Sequence, residues 1–197
     1  MARWEPGTAK RLQAAALELF ATRGYERTTA AEIAQSVGLT ERTFFRHFSD
    51  KREVLFHGTQ TLTLALVDGV REAPPDASPL DAVARALWSA APFFSAERRP
   101  HSRTRKAVID ENPALAEREL RKMDDLAATL AGTLRARGVD DLAATLAAQT
   151  GVAVFGVAFG RWVRDGEERS FEEIVTEVYR ELLSLAGAAA PVPHGTR

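Results

Sequence analysis

The chain has 197 residues, 45% of them hydrophobic and 27% charged, with a formal net charge of -1 at pH 7. That suits a soluble protein of one domain, or of a small head and a larger body, and gives no global attraction to nucleic acid. The absence of cysteine excludes disulfides, thiolate metal sites and thiol redox chemistry, and the four histidines, at 47, 57, 101 and 194, lack metal-binding spacing.

No basic stretch followed by an apolar core opens the chain, which predicts a cytoplasmic protein, and nothing calls for a cofactor. Residues 1–7 read as a loose end, with a minor-groove arm carrying Arg3 as the sharper alternative. Leu12, Ala15, Ala16, Leu19 and Phe20 then recur at helical spacing up to Gly24.

The stretch TTAAEIAQSVGLTERTFFRHFSDK, residues 28–51, is the most informative. Thr29 and Glu32 have the spacing of a capping box, in which hydroxyl and carboxylate satisfy free backbone amides at a helix start. Gly38 is the expected stop, because a helix commonly ends on a residue of positive φ. Thr40 is placed to cap a second helix, on which Phe44 and Phe48 share one face and Arg42 and Arg46 the other. A helix of this kind fits the major groove, where arginine bonds a guanine edge in two places. Arg42 and Arg46 are therefore the candidate base readers, and Thr43, His47 and Lys51 the candidate phosphate contacts. Thr29, Thr40, Glu41 and Phe45 complete the candidate DNA-binding set.

Beyond Lys51 a long helix is expected to about Ala73, carrying Leu55, Leu62, Leu66 and Val70, and as the head's covalent exit it must transmit any message from the body. Pro74 and Pro75 break it, and Ser78 with Pro79 restarts a helix. Trp88, Phe93 and Phe94 follow and read equally well as pocket lining or as core. ERRPHSRTRK, residues 97–106, is the most basic run of the body, and reads first as a solvated loop and helix start, second as a seat for a phosphate-bearing ligand. Asn112 and Pro113 open a helix to about Gly138, and Asp141 is placed to cap the next, which runs to Trp162. Its segment 142–160 carries no charge and is long enough to span a membrane, but its alanine, glycine and threonine content favours an internal helix. Ser170 and Glu173 have the spacing of a second capping box, before a stripe of Phe171, Ile174, Val175, Val178, Leu182 and Leu185, and GAAAPVPHGTR reads as a tail. The fold class is all-α, with about nine helices and no convincing strand.

From Leu12 to Lys51 the chain resembles the TetR family of bacterial transcriptional regulators, through LELFATRGYERTT, AEIAQSVGLT and ERTFFRHFSDKREVLF in order and without gaps. The resemblance implies a three-helix DNA-binding head, residues 1–51, and a ligand-binding and dimerisation body, residues 52–197. The family usually has tyrosine where this chain has Phe45, which keeps only an apolar contact such as one with a thymine methyl. KAVIDENPALAEREL and GVAVFGVAFGRWVRDG are similar to the mycofactocin-regulator branch, which is associated with acyl-coenzyme A ligands. Trp88, Phe93, Phe94, Arg103, Arg105, Ile109, Met123, Phe155 and Phe159 form the candidate effector set on that basis. Gly151, Gly156 and Gly160, with Val175, Val178 and Leu182, are the candidate dimer face, with close packing inside one subunit as the alternative.

The charge distribution agrees: nine basic and seven acidic side chains through His57 leave the head at +2 and the remainder at -3. The expected protein is a homodimeric repressor that binds double-stranded operator DNA and releases it for a small apolar or acyl-type effector, without a membrane partner. A helical ligand-binding or scaffolding protein whose head contacts protein is the alternative. An enzyme is disfavoured, because Asp110 and Glu111 point apart on a helix and no nucleophile, base or metal group accompanies them.

Overall fold

A computed structural model describes residues 7–187 and contains, among them, nine α-helices and no strand. Arg3 with most of the N-terminal arm, and the tail beyond Gly187, lie outside the described residues. The helices are α1 (Thr8–Arg23), α2 (Ala30–Ser36), α3 (Glu41–His47), α4 (Thr59–Arg71), α5 (Pro79–Ser89), α6 (Arg99–Asp110), α7 (Pro113–Ala136), α8 (Asp141–Trp162) and α9 (Phe171–Gly187). They sort into two compact units: the chain up to Thr63 with Pro100–Met123, and Leu64–Arg99 with the chain from Asp124 onward.

In the first unit the capping box of α2 forms in both directions: the Glu32 amide donates to the Thr29 hydroxyl at 3.2 Å, and the Thr29 amide to the Glu32 carboxylate at 2.8 Å. That backbone bond, then the hydroxyl bond from Thr29, holds the Glu32 carboxyl below its usual range. Gly38, at φ +73°, makes the turn that lets α3 begin. Leu12, Ala16, Leu17 and Phe20 of α1 pack with Ile33, Phe44 and Phe48 into one core, while Ala15 and Leu19 are only partly buried against it.

The long helix expected from Lys51 is interrupted. Asp50 accepts from the amides of Arg52 and Glu53 at 2.7 and 3.1 Å, which starts a short 3-10 turn, Arg52–Phe56. Gly58 then adopts φ +91°, and α4 begins only after it. The interruption turns Val54, Leu55 and Phe56 into the head core, where Val108, Ile109 and Leu115 join them. Residues some fifty positions downstream thus complete a core that the head's own three helices leave open.

Charged side chains bind the same segment. Arg105 donates to the Leu55 carbonyl at 2.7 Å and to both Glu119 oxygens at 3.2 and 2.9 Å. Glu53 accepts twice from Arg118, at 3.0 and 2.8 Å, and lies 3.5 Å from the Lys122 ammonium. Arg105 and Lys122 each stand 5.3 Å from the centre of the Phe56 ring.

The second unit is built by close helix contact. A Cβ on Gly151 of α8 would lie 2.1 Å from a Val83 methyl of α5, and one on Gly69 of α4 would lie 2.7 Å from the Ala86 Cα, so both sites require glycine at this spacing. Phe94, Phe155, Phe159, Trp162 and Phe171 form an aromatic cluster with centroids 4.2 to 6.1 Å apart. Arg99, buried beside it, lies 5.2 Å over the Trp162 ring and donates to the carbonyls of Glu167 and Arg169. Ser78 caps α5 as expected. Asp140, rather than Asp141, caps α8, accepting from the amides of Leu142 and Ala143. The capping box of Ser170 and Glu173 forms. Among the described residues one helix, Asp141–Trp162, is long and apolar enough to cross a membrane, and its inner side packs against α5 and α9.

Candidate nucleic-acid interface

Side chains of α3 divide by what they already bond. The Thr40 hydroxyl accepts from the Thr43 amide at 3.3 Å and lies 3.0 Å from the Thr43 hydroxyl, so both threonines serve the helix start. Thr29 is held in its capping box. Phe44 and Phe48, 0% and 4% exposed, are core. His47 is half-buried, its ring 6.3 Å from that of Phe48. Glu41, Arg42, Phe45 and Arg46 are exposed, and none of the four has a polar partner among the described residues of the head.

Lys51 is placed differently from the expectation of a free phosphate contact. Its ammonium donates to the Tyr25 carbonyl at 2.8 Å and lies 4.0 Å over the Tyr25 ring. Burial holds its pKa below the ordinary lysine range, and burial likewise pushes the Tyr25 phenol up to about 12. The pair ties the end of α1 to the segment after α3, so Lys51 fixes where α3 stands.

A polar groove of about 350 Å³ opens between residues 49–53 and 114–121. Its arginines are matched locally, Arg52 by Asp50, Arg118 by Glu53 and Arg121 by Glu117, so its charges cancel in pairs. Among the described residues no group of three histidines or carboxylates could hold a metal.

The candidate effector residues separate. Phe94, Phe155 and Phe159 meet in the aromatic cluster, whereas Trp88 stands apart against Tyr179, ring centres 5.9 Å apart. Phe93 is partly buried, and its carbonyl accepts from Arg98 at 3.3 Å. Ile109 is 3% exposed within the head core and the Arg105 guanidinium is spent on Leu55 and Glu119, so both serve packing of the first unit. Arg103 and Met123 are half-buried.

The candidate dimer face needs a similar sorting. Gly151 is filled by Val83 of its own chain, and Val175 and Val178 are buried in the body core, with Leu182 at its margin. A Cβ on Gly156 or Gly160 would meet nothing within 4 Å among the described residues. On α8 and α9 the large apolar residues left exposed are Leu142, Leu146 and Val157, and Leu183 and Leu185; Leu64 on α4 and Leu120 on α7 are exposed as well. The uncharged run over 142–160 was the available signal, since a helix apolar all round keeps an apolar side after packing once.

Comparison with known proteins agrees with this geometry. Residues 12–57 match the model of bacterial regulatory proteins of the tetR family, and residues 77–186 match the MftR C-terminal domain. The chain is 31% identical over 128 residues to the HTH-type transcriptional regulator TcmR of Streptomyces glaucescens, a match covering 62% of this chain and 56% of that protein. The match therefore spans little more than half the length of that curated relative. The TetR family regulator PfmR of Thermus thermophilus superposes with TM-score 0.51 at 26% identity, over 88% of this chain and 97% of its own. Thermus thermophilus FadR, a TetR family transcriptional repressor solved in complex with lauroyl-CoA, superposes with TM-score 0.53 at 25% identity, over 95% of this chain and 100% of its own. With the head and more than half of the chain matched in order, this protein belongs to the TetR family of bacterial regulatory proteins and carries a body of the MftR type.

Proposed function

We propose that this protein is a cytoplasmic, homodimeric repressor whose residues 1–51 bind double-stranded operator DNA and whose residues 52–197 bind a small apolar or acyl-type effector that releases the operator. The observation that carries the reading is the outer face of α3: Arg42 and Arg46 stand exposed one helical turn apart on a helix whose inner face is locked by Phe44 and Phe48. Two such heads would read half-sites about 34 to 36 Å apart, or a multiple of that. Gly156, Gly160 and the exposed leucines of α8 and α9 would meet their copies in a second subunit. The acyl-type effector is supported by the lauroyl-CoA complex of the Thermus FadR relative. An effector that prefers mis-spaced heads by about 1 to 3 kcal/mol would change DNA affinity roughly 5- to 150-fold.

The test is fluorescence anisotropy of the whole protein on DNA flanking its own gene, at one stated salt concentration, against excess random duplex. Saturable binding that survives competition and weakens steeply with salt is expected. In the same assay Arg46→Ala should cost about 1 to 3 kcal/mol on the operator and relax base preference. Equal loss on specific and random duplexes would show that Arg46 reads no base.

A further inference from the structure

Phe45 is a large apolar side chain that the head leaves 50% exposed, although its neighbours Phe44 and Phe48 are almost fully buried. Its ring stands edge-on to Phe44, centroids 5.4 Å apart at 84°, so the core braces it from behind. Around it the outward positions of α3 carry Glu41 on one flank and Arg42 and Arg46 together on the other. Thr40 and Thr43 are occupied by each other and Lys51 by Tyr25, so they do not compete for the face that Phe45 shares.

A phenyl ring neither donates nor accepts a hydrogen bond, so it cannot read the nitrogen and oxygen pattern of the base edges. The one apolar group displayed in the major groove is the C5 methyl of thymine. The geometry points to Phe45 as a reader of that methyl group, which makes pyrimidine C5 methylation, beside guanine recognition by the arginines, a determinant of the operator. This inference rests on the DNA-binding reading above. It also extends it, because 5-methylcytosine carries the same methyl at the same place and should satisfy the same contact.

The experiment starts from an operator selected from a random duplex library by the full-length protein. Each thymine is then replaced by deoxyuridine, symmetrically in both half-sites, and affinities are compared at fixed salt. Uracil keeps the pairing and the O4 acceptor and lacks only the methyl. Burying one methyl-sized group is worth about fourfold in affinity, so one thymine position should cost about fourfold per half-site and about fifteenfold in both. With cytosine placed at that position, methylation at C5 should tighten binding about fourfold. Phe45→Ala should bind thymine and uracil operators alike, Phe45→Leu should keep part of the difference, and Arg46→Ala should keep all of it. The uracil series uses the wild-type protein, so it stands whatever Phe45→Ala does to the head. Uracil operators that all bind as tightly as the thymine operator, or a penalty that persists in Phe45→Ala, would overturn the inference while leaving DNA binding intact. A selection that enriches no sequence would overturn the DNA-binding reading and this inference together.

Discussion

The two compact units solve the same problem, stable helical packing, with different means. The first contains α2 and α3, seven residues each, well below the length at which an isolated helix persists in water. It holds them with side-chain caps, with the Lys51 to Tyr25 contact, and with charged clamps on the turn Arg52–Phe56. The second relies on long helices that approach closely at Gly69 and Gly151 and on an aromatic cluster around Phe94. Short helices need directional bonds to fix their ends, whereas long ones obtain order from area and shape.

The contrast is tested most severely by large-to-small changes in each core. Trp162→Ala, at a fully buried position of the body, should cost about 3 to 5 kcal/mol, and Leu115→Ala, fully buried in the head core, about 2 to 5 kcal/mol, both read by denaturant unfolding. The sharper part is location: amide exchange should rise across residues 12–56 in Leu115→Ala, although the mutated residue lies far beyond them in sequence. Protection unchanged there would separate Leu115 from the head.

Next in size are the glycines. Gly151→Ala should lose about 1 to 3 kcal/mol by overpacking against Val83, a melting shift of several degrees. Gly156→Ala meets nothing within 4 Å among the described residues and should leave an isolated subunit as stable or slightly more so. If α8 pairs with its copy, Gly156→Leu should weaken dimerisation in sedimentation, and an undisturbed dimer would place the interface elsewhere.

Glu53→Gln should cost about 1 kcal/mol, because Arg118 and Lys122 lose a carboxylate that is only partly screened. The loss should shrink at high salt, unlike that of Gly151→Ala.

The remaining effects are in the pH dependence. Burial first, with an added hydrogen bond to Asp81 for Tyr179, pushes the phenols of Tyr25 and Tyr179 from 10 up to about 12. A raised folded pKa means that this stability is complete below pH 10 and is lost as pH rises through 12. Tyr25→Phe should remove the head's share of that alkaline loss. Glu167 runs the opposite way: its hydrogen bonds from Arg169 lower it from 4.5 to about 2, so its contribution is present above pH 4.5 and fades as pH falls towards 2. Melting temperatures across both windows check the two signs.

What could be read from the sequence follows the same division. Caps are local, so Thr29 with Glu32, Thr40, Ser78, and Ser170 with Glu173 declared their helices, and the family motifs placed the head. Asp140 shows the limit, since two adjacent aspartates offer the same chemistry and only geometry chooses between them. Glycine chemistry was legible as punctuation at Gly24 and Gly38 but not at Gly58, where the surrounding helical pattern hid a break. Gly151 reads the same in sequence as Gly156, yet only one of them faces Val83. Arg105 and Ile109 belonged by position to a basic run and a body helix. Their attachment to the head depends on contacts some fifty residues distant, which no periodicity encodes.

The recruitment of Val108, Ile109 and Leu115 into the head core has a consequence for the order of events during synthesis. A ribosome extending the chain at about 5 to 20 residues per second exposes α1 to α3 several seconds before those residues follow. For that interval Val54, Leu55 and Phe56 lack their final neighbours, and α3 stands on an unfinished support. The newborn head thus has to wait for a later part of the chain, so the closing of its core is tied in time to the synthesis of α6 and the start of α7.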